Sequence, residues 1–151
     1  MASVPSTPGQ LLLAQMLKRE LEEMEMEDIS LSENGVLIAH LEGNYTSPTI
    51  GWISHLDTAD IALSPIVHPI LVEAYDGREI IQEEGRHITL HTNTELEKHI
   101  GKDILFSDGR SVLGADNKAA IAIIMEALSI LSKNKDIPHG DIYVAFTPDE
   151  E

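Results

Sequence analysis

The sequence predicts an α/β fold with a mixed, partly parallel sheet and flanking helices. Three observations support this prediction. Apolar runs that fit strands alternate along the chain with two segments of helical periodicity. Two of those runs, before His55 and before Pro148, are apolar almost throughout, as is typical of strands in parallel sheets. The alternation of strands and helices is the order of elements in α/β layer structures.

Composition limits the classes of protein that fit. The length of 151 residues suits one domain with a proper core. A formal charge of -16 argues against nucleic acid and anionic membrane surfaces as partners. No apolar run reaches the length of a membrane span and the start lacks signal-peptide features, so a cytoplasmic location is expected. Because the sequence has no cysteine, any metal must be held by His and carboxylate groups.

A first helix is predicted after Thr7. Thr7 and Gln10 have the spacing of a capping box, and Pro8 suits the first helical position. Apolar residues then recur at helical spacing and predict a buried stripe of Leu13, Leu17, Leu21 and Met24.

Strands are predicted next. Apolar stretches flank Glu33-Asn34-Gly35 and predict an antiparallel hairpin, because Asn-Gly accepts the positive φ of a tight turn. The run from Thr49 to Ser54 predicts a buried strand that ends at His55. The segment 59–84 has little periodicity and is expected to be a long loop.

The second half of the chain predicts one more helix between strands. The stretch RHITLH favours a short strand, and Asp108-Gly109 suggests a second hairpin turn. A last buried strand is predicted from Ile142 to Phe146. From Asn117 onward, helical spacing predicts a buried stripe of Ala120, Ile123, Ile124, Ala127, Leu128 and Leu131.

Ligating side chains follow strand ends or open a helix at three places, which are His55 with Asp57, Asp116, and Asp149-Glu150-Glu151. In open α/β sheets, ligands bind at the carboxyl edge of the strands, so these groups mark a candidate site. Each group alone also fits an ordinary role: a surface His beside a turn acid, an N-capping aspartate, or a solvated acidic turn.

Taken together, the three groups favour a metal site. His55 and Asp57 are spaced so that one can bind a metal while the other accepts the second ring proton. Glu150 and Glu151 are adjacent and point in different directions, so one can bind a cation while the other works on its water. A His with several carboxylates suits zinc, manganese or cobalt, and a shared carboxylate can bridge two such ions.

Several stretches resemble the peptidase T family of dinuclear zinc aminopeptidases, which act on tripeptides. The resemblance covers practically the whole chain, most clearly in ISHLDT, VLGADNKAA and IPHGDIYVAFTPDEE. It implies a zinc-peptidase catalytic-domain fold, with residues 1–151 as a partial catalytic domain and the family's lid domain and C-terminal part absent. It also implies short peptides as substrates. An unpaired sheet edge predicts self-association, so a homo-oligomer is one expectation.

The resemblance also implies roles for five residues. His55 would ligate one of two divalent ions, expected to be zinc, with Asp57 orienting it. Asp116 would bridge the two ions, and Glu151 would ligate the other. Glu150 would be the general base, which takes a proton from water and returns it to the leaving amine.

The chain departs from the family pattern in two respects. Asn117 stands where the family generally has Asp, which bears on the tuning of the metal. Family members also continue past Glu151 and supply a further Asp and a distant His as ligands. With three of five ligands, this chain alone is expected to show no appreciable peptidase activity.

Two other classes of function stay open. One is a non-catalytic protein, either a remnant or a cation-binding fragment that uses the acidic edge without chemistry. The other is a dipeptidase or an amide-cleaving deacylase on the same scaffold. The residues that select the substrate would lie mostly in the absent lid, so the sequence does not choose among substrates.

Overall fold

The computed structural model describes residues 4–59, 64 and 66–151. In chain order, the elements are α1 (Pro8–Glu23), β1 (Glu27–Leu31), β2 (Leu37–Leu41), β3 (Ile50–His55), β4 (Pro69–Val72), β5 (Ile80–Ile81), a 3₁₀ turn (Glu83–Gly85), β6 (His87–Ile88), a second 3₁₀ turn (Thr94–His99), β7 (Ile104–Ser107), α2 (Ala115–Lys133) and β8 (Ile142–Thr147). Among the described residues, neither α-helix is both long enough and apolar enough to cross a lipid bilayer.

The chain divides into two compact units. Residues Met1–Ala59 and Ala115–Glu151 form the first, which we name the sheet unit. Residues Asp60–Gly114 form the second, which we name the ribbon unit. The assignment of residues 1–151 to one partial catalytic domain stays a prediction.

The sheet unit contains a four-stranded sheet in the order β1-β2-β8-β3. Strand β2 is antiparallel to both of its neighbours, whereas β3 runs parallel to β8. The two helices of this unit are α1 and α2. The predicted fold class, an α/β fold with a mixed and partly parallel sheet, is therefore confirmed.

Both helices pack on one face of this sheet. The register pairs Leu37 with Phe146 and Ala39 with Val144, and these four residues point to the covered face. They form one buried cluster with residues of both helices, among them Ala14, Leu17, Leu21, Ile121, Ile124 and Leu128. Burying each large apolar side chain contributes roughly 1.5–3 kcal/mol, so this cluster is the main source of stability.

The hairpin predicted at residues 33–35 is confirmed as the connection between β1 and β2. Gly35 has φ +83°, a left-handed conformation that glycine adopts without steric cost. The Ser32 backbone N–H donates a hydrogen bond to the Val36 carbonyl at 2.9 Å and closes the turn.

The prediction that β3 is buried is wrong for most of its length. Ile53 is 72% exposed and Ile50 is 45% exposed, and only Ser54 and His55 are buried. The strand lies at the edge of the sheet, and the helices cover only one face. Apolar composition therefore does not translate into burial on both faces here.

Helix α1 begins as predicted with Pro8 in its first turn, but the capping box is wrong. The Thr7 side chain makes no capping hydrogen bond among the described residues. Gln10 is instead buried and faces the core side with Leu17 and Leu21. Leu13 and Met24, which the stripe includes, are partly buried against the same cluster.

The start of helix α2 is irregular at Asp116, the residue that the sequence indicates as a candidate metal ligand. Asp116 and Asn117 have non-helical backbone angles, and the peptide bond between them is cis. The predicted stripe is correct at Ile124 and Leu128 but wrong at Ile123, which is 69% exposed. Apolar residues occupy every side of this helix start, so periodicity alone does not select the face that packs.

The ribbon unit contains two antiparallel strand pairs, β4 with β7 and β5 with β6. Its buried apolar cluster is small and consists of Val72, Tyr75, Ile80 and Phe106. The short strand predicted in RHITLH is confirmed as β6.

Two predictions for the ribbon unit are wrong. The segment 59–84 is not a loop throughout, because β4 and β5 lie in it; residues 60–63 and 65 are outside the described part. Asp108-Gly109 does not form a hairpin turn, because β7 pairs with β4. The Asp108 carboxylate instead accepts the Arg110 backbone N–H at 2.9 Å, so this Asp-Gly pair forms a local turn.

Candidate metal centre

Strands β3 and β8 end side by side, and this brings the ligating residues together. His55, the last residue of β3, is the register partner of Thr147, the last residue of β8. The Leu56 backbone N–H continues the pairing with the Thr147 carbonyl at 2.8 Å. Because parallel strands share a carboxyl edge, the residues that follow both strands converge there.

The structure places three other predicted site residues, Asp116, Glu150 and Glu151, close to His55. The Nε2 atom of His55 lies 3.0 Å from Asp116 Oδ1 and 4.0 Å from Glu150 Oε2. Ligand atoms of His55, Glu150 and Glu151 all lie within 4.8 Å of one another. Ligands about 2.0–2.2 Å from one zinc ion lie a few ångströms apart, so this spacing suits a shared cation.

A buried histidine lies at the bottom of the site, and exposed carboxylates surround it. The His55 side chain is 8% exposed, whereas those of Asp116 and Glu150 are 82% and 64% exposed. Carboxylates at the rim stay hydrated and can be reached by an ion from solvent. Gathering several negative groups around one imidazole favours a cation among them, because like charges repel.

His55 is held in a strongly acidic environment. Burial by itself lowers the pKa of His55, but the hydrogen bond with Asp116 and the charges of Asp57 and Glu150 raise the pKa by more. The net pKa lies above the ordinary value for histidine. The same acceptors that favour a proton on this ring would favour a metal ion in its place.

Asp57 contacts its neighbours differently from the sequence expectation. The sequence predicts that its carboxylate orients His55, but His55 Nδ1–H donates to the Asp57 backbone carbonyl at 3.1 Å, and Asp57 Oδ1 lies 3.5 Å away. The carboxylate accepts the backbone N–H groups of Glu150 at 3.1 Å and Glu151 at 2.9 Å. Asp57 therefore connects the end of β3 to the segment that carries both glutamates.

These hydrogen bonds also fix the charge of Asp57. Burial raises its pKa, but the backbone N–H groups of Glu151 and Glu150 lower the pKa by more, so the net pKa lies below the ordinary value. Asp57 is therefore a carboxylate at neutral pH. The orienting role of Asp57 and the ligand and base roles of the other residues stay predictions.

Sequence reasoning missed a second set of contacts at this edge. The Asp149 carboxylate accepts hydrogen bonds from the Ser6 backbone N–H at 2.9 Å, the Ser6 hydroxyl at 2.6 Å and Gln10 Nε2 at 2.8 Å. The Ser6 side chain, then Gln10, lowers the pKa of Asp149. Ser6 and Gln10 lie 143 and 139 residues away from Asp149 along the chain, so no local pattern indicates these bonds.

No protein-family model matches the chain. It is 46% identical over 151 residues to peptidase T of Bacillus subtilis, a match that covers 97% of this chain and 37% of the relative. It is 44% identical over 153 residues to peptidase T of Vibrio parahaemolyticus, covering 99% of this chain and 37% of the relative. The chain thus spans little more than a third of the length of these relatives, and the resemblance predicted from the motifs is confirmed.

Solved structures show the same fold. The aminopeptidase PepT from Bacillus cereus matches with a TM-score of 0.64 and 23% identity, over 94% of this chain and 32% of that one. A tripeptidase from Staphylococcus aureus matches with a TM-score of 0.60 and 23% identity, over 94% of this chain and 35% of that one. The likeness confirms the predicted fold class, and this chain spans about a third of the length of each of these structures.

Proposed function

We propose that this chain supplies part of the catalytic centre of a metal-dependent aminopeptidase of the peptidase T type, which releases the N-terminal residue of a tripeptide. Residues 1–151 then form a partial catalytic domain. The observation that carries the proposal is the group His55, Asp116, Glu150 and Glu151 at the joint end of β3 and β8. The 46% identity with a peptidase T supports it.

The donor set fits two divalent ions, which we propose to be zinc. His55 and Glu151 would each hold one ion, and Asp116, with its carboxylate 3.0 Å from His55 Nε2, would bridge both. Nitrogen and carboxylate oxygen donors are common zinc ligands, and the chain offers no thiolate. Such ions, when bound, polarise a peptide carbonyl and acidify water.

The protein's own groups then move the protons. Glu150 accepts a proton from the attacking water and returns it to the leaving amine, as a general base and acid. Its backbone is anchored by Asp57, while its side chain is 64% exposed and free to reach a substrate. His55 keeps Nε2 directed to the site because its Nδ1–H donates to the Asp57 carbonyl.

Partners and location follow from the same proposal. Short peptides are the proposed substrates, and the net charge of -16 disfavours nucleic acid and anionic membranes. A cytoplasmic location and a homo-oligomeric state remain predictions. Light scattering of the purified chain at high concentration tests self-association, and a monodisperse monomer would contradict it.

A chimera tests the activity. Residues 1–151 replace the matching segment of the Bacillus subtilis peptidase T, and release of the first residue from a tripeptide is measured with added Zn²⁺. We expect hydrolysis that needs a free amino terminus, and its loss by about 100-fold or more in Glu150→Gln, since general acid–base catalysis contributes about 10²–10⁴-fold. Glu126→Gln, an exposed position on α2, is the matched control.

The other functions give distinct outcomes. A folded chimera that binds zinc but cleaves no tripeptide would support a cation-binding fragment without chemistry. Preferential cleavage of dipeptides or of N-acyl amides would support the dipeptidase or deacylase alternative. Zinc bound equally well after His55→Ala would contradict the proposed site itself.

A further inference from the structure

The segment that carries both glutamates leaves β8 through an uncommon backbone conformation. Asp149 has φ +55°, in the left-handed region that few non-glycine residues adopt. The next two backbone N–H groups, of Glu150 and Glu151, donate to the Asp57 carboxylate. The direction of both glutamates from β8 therefore depends on how Asp149 is held.

Helix α1 holds Asp149 through a reciprocal pair of hydrogen bonds. Gln10 Nε2 donates to Asp149 Oδ1 at 2.8 Å, and the Asp149 backbone N–H donates to Gln10 Oε1 at 3.0 Å. Gln10 is 4% exposed, so its amide has little access to water as an alternative partner. Ser6 adds its backbone N–H and its hydroxyl to the same carboxylate.

Three consecutive residues are thus fixed from two sides. Ser6 and Gln10 hold Asp149 from the helix α1 side, and Asp57 holds Glu150 and Glu151 from the β3 side. Groups that orient the ligands of a metal commonly change its affinity by about 10–100-fold when they are replaced. A contact that fixes the backbone of a ligating segment belongs to the same class of effect.

We infer that Gln10, with Ser6, is a positioning residue of the metal centre, which holds Asp149 so that Glu150 and Glu151 point toward His55. The inference rests on the proposed function, because it assigns to these glutamates a metal ion to act on. Asp149 itself acts as an anchor and does not bind the ion.

The test compares Gln10→Glu with Gln15→Glu in the full chain. Both changes replace an amide by a carboxylate on α1, but Gln15 is exposed. In Gln10→Glu, a second carboxylate faces Asp149 and the donated bond is lost. We expect the backbone order parameters of Asp149 and Glu150 in the metal-free chain to fall from about 0.85 to below about 0.6. We expect the Zn²⁺ affinity of Gln10→Glu to fall at least about tenfold. Gln15→Glu should keep the order parameters and the Zn²⁺ affinity of the original chain.

A charge swap separates positioning from general stability. In the double variant Gln10→Glu/Asp149→Asn, the carboxylate and amide exchange places, and the net charge equals that of the original chain. Asn also tolerates the left-handed conformation. We expect the swap to restore both the order parameters and most of the Zn²⁺ affinity, which a merely structural change in α1 would not predict. Circular dichroism confirms that each variant is folded.

Each outcome decides the matter. Unchanged order parameters in Gln10→Glu overturn the inference whether or not zinc binds. Lower order parameters with an unchanged Zn²⁺ affinity also overturn the inference, because the bonds to Asp149 then have no effect on metal binding. If the original chain orders this segment but binds no zinc, the anchor has no metal ion to act on and the inference fails, whereas the proposed function is decided separately by the chimera. Lower order parameters and lower Zn²⁺ affinity in Gln10→Glu, with recovery of both in the double variant, support the inference.

Discussion

The sheet unit and the ribbon unit differ in how much apolar surface they bury. In the described part of the chain, the buried cluster of the sheet unit contains fifteen apolar residues, whereas that of the ribbon unit contains four. All the proposed metal-site residues lie in the sheet unit. Holding several like-charged carboxylates close together is unfavourable, and the deeper core offsets that cost. The proposed metal site therefore lies in the unit with the larger buried core.

The two phenylalanines give the strongest test of this comparison, since each unit contains one. Phe146 is 0% exposed in β8, and Phe106 is 8% exposed in β7. Phe146→Ala is expected to lower the free energy of unfolding by about 4 kcal/mol, because it leaves a cavity in the large core. Urea unfolding followed by the fluorescence of Trp52 measures the loss, and Ile53→Ala, at an exposed site, should change it by less than about 0.5 kcal/mol.

Phe106→Ala should act locally. We expect hydrogen exchange to accelerate in the ribbon unit while the sheet unit keeps its protection, because the small cluster contributes few of the buried contacts. Equal loss of protection in both units would show that they unfold as one cooperative structure and would remove the distinction.

Each unit contains a histidine that lies beside a carboxylate, and the effects of the two on zinc binding are expected to differ. His55 lies 3.0 Å from Asp116, and His87 of the ribbon unit lies 2.8 Å from Glu79. His55→Ala is expected to lower Zn²⁺ affinity at least about 100-fold in calorimetric titration, since a ligand matters more than the groups that orient it. His87→Ala should leave the affinity unchanged. A similar loss for both would mean that zinc binds to acidic surface in general.

A smaller effect is expected from a buried hydroxyl in the ribbon unit. Tyr75 is fully buried, and its hydroxyl has no hydrogen-bond partner among the described residues. Tyr75→Phe removes an unsatisfied polar group and should raise the free energy of unfolding by about 1 kcal/mol. Tyr45→Phe, at a residue that is 65% exposed, is the control and should have no effect in thermal unfolding. Destabilisation by Tyr75→Phe would indicate that the hydroxyl does have a partner.

The smallest effect concerns acid pH. The Arg110 backbone N–H holds the pKa of Asp108 in the ribbon unit below its ordinary value, and the Gly43 backbone N–H and His40 do the same for Asp141 in the sheet unit. A lowered folded-state pKa gives stability that is present above the unfolded pKa of about 3.9 and is lost as the pH falls through the folded value.

Replacing either aspartate by Asn should therefore reduce the loss of stability below about pH 4. Urea unfolding at several pH values measures how steeply the free energy of unfolding falls with decreasing pH. Asp136→Asn, at an exposed position, controls for the removal of one negative charge. An unchanged acid slope in both test variants would mean that these carboxylates do not contribute.

Much of the sheet unit could be predicted from the sequence because its signals are local. Asn34-Gly35 indicates the hairpin through the backbone freedom of glycine, and the run before His55 indicates β3. The same local signals failed where pairing is between distant segments. Asp108-Gly109 has the composition of a hairpin turn, but β7 pairs with β4, about 35 residues earlier in the chain.

The candidate site could be predicted in its residues but not in its supports. His55, Asp116, Glu150 and Glu151 follow strand ends or open a helix, and the rule that ligands gather at this edge selects them without coordinates. The carboxylate of Asp57, in contrast, holds the backbone of Glu150 and Glu151, more than 90 residues away. A side chain with several acceptors does not indicate in advance which donor will reach it.

The sequence by itself predicts both α-helices, the strands of the sheet unit and their order along the chain, and it identifies the acids and the histidine available to bind a cation in a chain without cysteine. Only the folded chain shows which face of α2 packs, that β3 lies at an edge, and that Gln10 donates to Asp149 as well as to the Thr7 hydroxyl. The two sets of features differ because the interactions behind them act over different separations along the chain. Periodicity and turn chemistry act over a few residues, whereas burial and hydrogen-bond partners depend on segments that meet only when the chain has folded.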